Sequence, residues 1–400
     1  MENSTVQNLP LTETIAPAEQ ADVAEAVRNA ADKGVPVYPI GGGTMLDHGL
    51  RPNRPGIGLS LAKLNRVIDY PADDLTITVE AGVTIGDLNK RLAAQRQWLP
   101  VDVLLPDRAT VGGAVAVNAG GPRRYAYGTM RDYVLGFTAV DGTGTTFSGG
   151  GRVVKNAAGY NMCRLMAGSF GTLGIITQVT LMVRPLCEAS AFVASPKTSL
   201  DMAEKLLAGL VRSATRPVAI ELMANSHPDN AQLYVGFEGT TAEVDWMAEQ
   251  LGREWAASGV AAPILISDGS VETLWRSFAD GSADVEIRVL PGAVVGVIGK
   301  LLQEGPPCAI HARAGDGLIR LSLWNGSGEG QLFSATHPLA QVRAIAVPFG
   351  GTTIVLKHPE GVELSTADVW GPPGPELCIM RAIKERFDPK NILNPGRFVY

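Results

Sequence analysis

The sequence predicts an α+β protein: a glycine-rich domain over residues 21–186, then a smaller α+β domain with an antiparallel sheet over residues 187–370. Two observations predict it. Glycine, at 46 residues, clusters between strands in the first half, where bare backbone serves close approach to a ligand or tight turns. After Arg184-Pro185 the composition changes, and helical segments alternate with strands up to about residue 360. Residues 1–20 read as an N-terminal extension, and 371–400 as a helix and tail returning to the first domain.

The elements follow in order. Ala21 to Lys33 is an amphipathic helix with Val23, Ala26, Val27 and Ala30 on one face, stopped at Gly34. Strands are expected at Pro36 to Ile40, Ile57 to Leu61, Val67 to Tyr70 and Leu75 to Glu80. Thr84-Ile85-Gly86-Asp87 has the pattern of a capped helix start. Val134 to Val140 and Thr145 to Ser148 form a hairpin around Asp141-Gly142, and Ile175 to Val183 is a β-branched strand. In the second domain, helices at Leu200 to Arg212 and Val244 to Ala257 alternate with strands at Val218 to Met223, Leu233 to Phe237 and Val285 to Leu290. That order suits helices on one face of an antiparallel sheet. A last helix runs near Glu376 to Arg386, and no long-range internal repeat is visible.

Composition excludes several classes. A chain of 400 residues, 46% hydrophobic and 18% charged, can bury a large core in more than one domain. A formal charge of −6 argues against a nucleic-acid partner, because phosphate binding favours a basic balance. No apolar run approaches the roughly 18 to 20 residues that span a bilayer. The N-terminus lacks the basic and apolar regions of a signal peptide, so a cytoplasmic chain is expected, with any membrane association through partners. Cys163, Cys187, Cys308 and Cys378 are scattered with no C-x-x-C pair, so neither an iron–sulfur cluster nor a four-cysteine zinc site is encoded. No metal site is expected. His48, His227, His311, His337 and His358 are not paired at helical ligand spacing, and each is expected to be structural.

The glycine clusters carry the chemistry. Gly142-Thr143-Gly144 is the nearest match to a Rossmann fingerprint, but it lacks the third glycine and sits in a hairpin, so it reads as a turn. Gly41-Gly42-Gly43-Thr44 follows a strand and leaves several N–H groups open, either as a nest for a pyrophosphate or as a flexible turn. The stretch from Pro106 to Gly121 brackets small residues and Asn118 with two glycine pairs, suited to backbone lying against a flat ligand. Asn156 to Asn161 and Gly168 to Thr177 make the third cluster.

In this order and spacing the clusters resemble the FAD-linked oxidase family, which shares the two-lobed, PCMH-type FAD-binding fold of vanillyl-alcohol oxidase and p-cresol methylhydroxylase. The resemblance covers about Ala21 to Pro185 and Asn394-Pro395-Gly396-Arg397. A closer match is the FAD-binding subunit type of glycolate oxidase (a glycolate dehydrogenase). It is carried by Gly121-Pro122-Arg123-Arg124, Arg131-Asp132-Tyr133-Val134-Leu135-Gly136, Lys155-Asn156-x-Ala158-Gly159-Tyr160 and Arg164-Leu165-Met166-x-Gly168-Ser169. The resemblance implies that Pro39 and Ile40 lead into a pyrophosphate loop of Gly41, Gly42, Gly43 and Thr44. It implies that Pro106, Thr110, Gly112, Gly113, Asn118 and Gly120 line the flavin and adenine side, and that Gly159 and Ile176 close over the nucleotide. No histidine lies in the loop and no cysteine precedes Cys163, so the FAD is expected to be non-covalent.

Members of this family oxidise 2-hydroxy acids, which needs a base for the hydroxyl proton and a cation for the carboxylate. Arg123, beside Arg124, is a candidate cation, with a surface salt bridge as the alternative for one of the two. Catalytic relatives resemble H-A-G-D-G-N-x-H, with the histidines serving a metal. Here Gly315-Asp316-Gly317 is kept, but Arg313 and Arg320 stand at the histidine positions and Leu318 at the asparagine. Arginine does not ligate a metal. Phe170 also replaces the glutamate of the family's Gly-Ser-Glu-Gly-Thr-Leu-Gly stretch. The expectation is a FAD-carrying subunit of a glycolate-type complex, with a sister FAD subunit oxidising the 2-hydroxy acid and an iron–sulfur subunit carrying electrons away. The alternatives are a self-sufficient dehydrogenase or oxidase using Arg123, Arg313 or Arg320, and a pseudo-subunit without FAD.

Overall fold

The computed structural model describes residues 9–151, 161–225, 227–260, 262–279, 283–324, 336–358 and 362–400. They form two units: Met1–Gly120, Gly128–Leu186 and Pro373–Tyr400 in the first, Gly121–Tyr127 and Cys187–Pro372 in the second.

In the first unit, β1 (Leu11–Ile15) leads into α1 (Gln20–Lys33), whose Val23, Val27 and Ala30 are buried at helical spacing. Gly34 ends it in the left-handed region at φ 66°, where a side chain would be strained. β2 (Val37–Ile40) and β3 (Gly56–Ser60) complete a three-stranded parallel sheet in the order β1-β3-β2. β1 lies within the expected extension, so the described part of that extension belongs to the sheet. Further along come β4 (Val67–Asp69), β5 (Thr76–Glu80), β6 (Gln97–Trp98), β7 (Val134–Val140), β8 (Thr146–Gly150), β9 (Ile175–Met182) and β10 (Arg184–Pro185). Five of these make an antiparallel sheet in the order β4-β5-β9-β7-β8, and β6 pairs with β10.

Between the strands lie α2 (Ile85–Ala93), α3 (Val111–Ala116), α5 (Met130–Tyr133) and α6 (Met162–Met166), while α4 (Arg124–Tyr127) belongs to the second unit. Thr84 caps α2 by accepting the Asp87 N–H at 3.1 Å. Thr110 caps α3 in the same way through Gly113 N–H at 3.3 Å. The small-sided stretch therefore coils into a short helix, with Gly112 against Ala81 at the end of β5.

The second unit is one antiparallel sheet. Its strands are β11 (Ala189–Ala194), β12 (Ala219–Asn225), β13 (Ala231–Gly239), β14 (Ile264–Ile266), β15 (Val285–Arg288), β16 (Ala309–Arg313), β17 (Leu318–Ser322) and β18 (Thr352–Val355). They run in the order β14-β11-β13-β12-β16-β17-β15-β18. The helices are α7 (Leu200–Leu210), α8 (Thr241–Ala257), α9 (Ser270–Ala279), α10 (Val294–Glu304), α11 (Thr336–Ala346) and α12 (Thr366–Trp370).

Period-two alternation divides the faces of this sheet sharply. Leu233, Leu222, Ala312, Ile319 and Ile287 form one cross-strand row, all fully buried. The next row on the opposite face is Tyr234, Glu221, Arg313, Leu318 and Arg288, followed two residues on by Gln232, Met223, His311, Arg320 and Glu286. One face is thus aliphatic and the other carries charge.

The chain closes with α13 (Leu377–Phe387) and a tail in the first unit. Lys384, 6% exposed, donates to Asp388 Oδ2 at 2.6 Å and to the carbonyls of Thr172 and Leu393 at 2.8 and 3.0 Å. Asp388, 1% exposed, also accepts the N–H groups of Ile392 and Leu393. Val37 N–H then donates to Ile392 O, and Asn394 N–H to Val37 O, so the tail meets the start of β2 in one parallel bridge, Val37 to Leu393. Lys384→Met leaves Asp388 buried without its cation. It should destabilise the protein by about 3 kcal/mol, read as a fall in the urea midpoint at unchanged slope.

Candidate functional site

The loop Gly41–Thr44 springs from the end of β2, and the first two glycines lie flat against the Pro106–Thr110 segment. A Cβ on Gly41 would fall 2.3 Å from Thr110 Oγ1, and one on Gly42 would fall 1.7 Å from Arg108 O. Gly43 has φ 67°. Pro106–Thr110 is itself held to α2: its Pro106 and Ala109 carbonyls accept the N–H groups of Gly86 and Ile85 at 2.8 Å each. Two of the three glycine clusters therefore meet at one place. The bare backbone at Gly42 is demanded by this packing as well as by open N–H groups.

A cavity of about 680 Å³ opens there, lined by Gly41, Gly42, Asn65, Val83, Asp87, Lys90, Arg91, Arg108 and Thr110 among others. Lys90, Arg91 and Arg108 were not identified from the sequence. Lys90 and Arg91 close an amphipathic helix and read there as solvated charge, and only the fold turns them to the glycine loop. Backbone without side chains beside three cations fits the pyrophosphate of a dinucleotide.

The other expected cofactor residues are placed as follows. Pro39 lies against Gly171, whose Cβ would sit 2.9 Å from the ring. Asn118 is left-handed at φ 51° and its Oδ1 accepts the Arg131 N–H at 2.9 Å. Gly168 and Phe170 donate their N–H groups to Val115 O and Ala116 O, capping the end of α3. Ile176 is buried in β9 opposite Ala139. Gly120 is the last residue of its segment of the first unit. Gly159, with the rest of residues 152–160, lies outside the described residues.

The second unit holds the arginines expected to meet substrate, and each is engaged by a carboxylate or lies among several. Arg123 donates to the buried Glu238 at 2.8 Å, with its guanidinium 3.8 Å from the centre of the Trp275 ring. Arg124 lies 3.6 Å from Asp316. Arg320 donates to Glu286 Oε2 at 3.1 Å and Arg288 to Oε1 at 2.9 Å. Burial pushes the Glu286 carboxyl up, but Arg320, Arg288 and Arg313 outweigh it and bring it down to about 2. Arg313, 2% exposed, stands directly across from Glu221 in the register. His311 bonds through Nε2 to Glu221 Oε2 at 2.7 Å. Gly315-Asp316-Gly317 forms the turn joining β16 to β17, with Gly317 at φ 73° and too close to Val289 O for any side chain.

Residues 12–150 match the FAD binding domain family, and residues 368–398 match the C-terminal domain of FAD linked oxidases. The sequence is 31% identical to a D-lactate dehydrogenase of Archaeoglobus fulgidus, over 96% of this chain and 90% of that protein. The chain belongs to the FAD-linked oxidase family. It is also 24% identical to the glycolate oxidase subunit GlcD of Bacillus subtilis, over 96% and 88% of the two chains. Among solved structures, alkyldihydroxyacetonephosphate synthase shares the fold at TM-score 0.70 and 19% identity, covering 96% of this chain and 76% of that one. The protein is a FAD-dependent oxidoreductase with the PCMH-type fold.

Phe170, which the resemblance set against a glutamate, adopts φ 55°, stacks on Phe398 at 5.3 Å and meets His48 edge-on at 5.1 Å. Arg313 and Arg320, which the resemblance set against histidines, belong to the charge network around Glu286.

Gly42→Ala should drive the loop off Arg108 and weaken FAD binding by about tenfold or more, read as flavin content after purification. Burial, partly offset by Arg124 and Arg313, raises Asp316 to about 6. A raised carboxyl favours the fold below its unfolded value of 3.8, and that stability is lost as pH rises through about 6. Asp316→Asn should remove this loss. Urea midpoints between pH 4 and 7 should show the variant gaining about 2 to 3 kcal/mol on wild type over the interval.

Proposed function

We propose that this FAD-dependent oxidoreductase is the FAD-binding subunit of a glycolate-type dehydrogenase complex in the cytoplasm. The complex oxidises glycolate or a related 2-hydroxy acid to the 2-oxo acid and passes electrons to a partner. The observation that carries the reading is the pairing of Arg320 with Glu286, and the burial of Arg313 beside the same carboxylate, at the positions where catalytic relatives place metal-binding histidines. A guanidinium already neutralised by a buried carboxylate is poorly suited to seize a substrate carboxylate, and it cannot bind a metal. The flavin cradle, in contrast, has its glycines and its basic wall. The likeness to the glycolate oxidase subunit of Bacillus subtilis supports the same reading.

Under it, Gly41, Gly42, Gly43 and Thr44 offer N–H groups to the pyrophosphate, while Lys90, Arg91 and Arg108 neutralise it. Thr110, Gly112, Gly113 and Asn118 stand along the flavin side, held by the α3 cap. Bound FAD would supply a redox carrier in the electron path of the complex. A sister FAD subunit performs the oxidation, and an iron–sulfur subunit takes the electrons onward.

A second reading, a self-sufficient hydroxy-acid dehydrogenase, has one specific observation in its favour. His311 is oriented by the fully buried Glu221, as a proton-accepting histidine requires. The D-lactate dehydrogenase relative points the same way.

Anaerobic visible spectra discriminate the two. On the subunit reading the isolated yellow protein keeps its flavin spectrum when glycolate is added, and bleaches only when co-purified with its partners. Full glycolate:dye reductase activity from the chain alone would sink it. Acid precipitation should leave a colourless pellet and free FAD in the supernatant, since no histidine stands in the pyrophosphate loop and no cysteine precedes Cys163.

A further inference from the structure

The loop after the glycines has no helix or strand of its own from residue 41 to residue 55. Three of its carbonyls nevertheless converge on one side chain from the far end of the sequence. Arg397 donates through Nη2 to Leu46 O at 2.6 Å and His48 O at 2.8 Å, and through Nη1 to Leu50 O at 3.1 Å. The Leu50 N–H donates back to Arg397 O at 3.1 Å. Only 4% of Arg397 is exposed. A planar fork that reaches carbonyls at i, i+2 and i+4 holds the segment in one curve, which a compact ammonium does not.

The acceptors are neutral carbonyls, and the Nε–H has no acceptor among the described residues. Its N–H groups are mostly satisfied while its charge is not cancelled through a hydrogen-bonded carboxylate. Burial lowers its pKa to about 10, partly offset by Asp47 and Tyr38, so it is a cation at neutral pH. A buried cation whose charge is only partly offset, here by Asp47, is costly. An anionic ligand on the adjoining loop offsets that cost.

Arg397 is placed by the strand that carries the loop. Val37 N–H donates to Ile392 O at 2.7 Å and Asn394 N–H to Val37 O at 2.9 Å. Asn394 Nδ2 adds a bond to Phe170 O at 2.7 Å.

We propose that Arg397 is a positioning residue for the FAD pyrophosphate: its fork fixes the Leu46–Leu50 return of the glycine loop and sets a positive charge behind it. Tight FAD capture then requires the C-terminal tail, and a chain lacking its last residues cannot load the cofactor. The inference rests on reading Gly41–Thr44 as the pyrophosphate loop.

The test is FAD titration of the full-length apoprotein by flavin fluorescence, with apoprotein melting temperature measured alongside. Arg397→Lys keeps the charge and loses the fork, and should weaken FAD by about tenfold, while Arg397→Ala should weaken it by roughly 100-fold. Millimolar guanidinium should restore part of the loss in Arg397→Ala. Tyr400→Phe, which breaks the tail's bond to Thr172 (2.6 Å) but leaves the fork, should stay within about twofold of wild type. Equal FAD affinity in Arg397→Lys and Tyr400→Phe would overturn the proposal, and this comparison decides even if Arg397→Ala does not fold. ADP competition in the wild type checks the loop separately. If FAD binds but ADP does not compete, the loop assignment fails and the inference with it. If ADP competes and Arg397→Lys binds normally, the inference alone fails.

Discussion

A buried guanidinium near the end of this chain holds an early loop in place, and a buried ammonium ties the last helix to the tail. Arg397 gathers the carbonyls of the loop that leaves β2, and Lys384 gathers those of Thr172 and Leu393. Each charge is taken out of water: backbone oxygens replace the hydration shell around both, and Asp388 also pairs with Lys384. The tail that carries Arg397 also bonds Val37 at the start of β2. The strand, its glycine loop and the terminus therefore form one cooperative piece. That explains why the two family matches, residues 12–150 and 368–398, lie at opposite ends of the sequence.

The second unit solves a different problem. Its apolar rows make an ordinary core, whereas the opposite rows place Glu221, Glu286 and Arg313 at 4% exposure or less. Such a face is stable only when the charges alternate closely, and the register provides it: Arg313 stands across from Glu221 and Arg320 across from Glu286. Asp316 is less well served. It lies at the turn with Arg124 at 3.6 Å, and burial wins over its partner. Arg313 and Arg320 are thus part of a charge pattern that holds the unit together.

The elements were largely legible because each rests on local rules. Gly34 stops α1, Thr84 and Thr110 cap their helices, and alternation marks the strands of the second unit. The FAD fold was legible through the order of the glycine clusters. Lys90, Arg91 and Arg108 were not, because a cation on an amphipathic helix or in a loop reads as a solvated side chain until its neighbours are known. Arg123 reads as an available cation for the same reason, since Glu238 and Trp275 lie more than a hundred residues away in the chain.

By itself, the sequence determined the cofactor class and the α+β architecture. These are properties of residue type and short-range order. Only the tertiary structure decided what individual residues do. It brought Gly42 onto Arg108, matched Arg320 to Glu286, and set Arg397 behind the loop that β2 begins. Such pairings depend on strand register and chain return, which join residues that no local pattern connects.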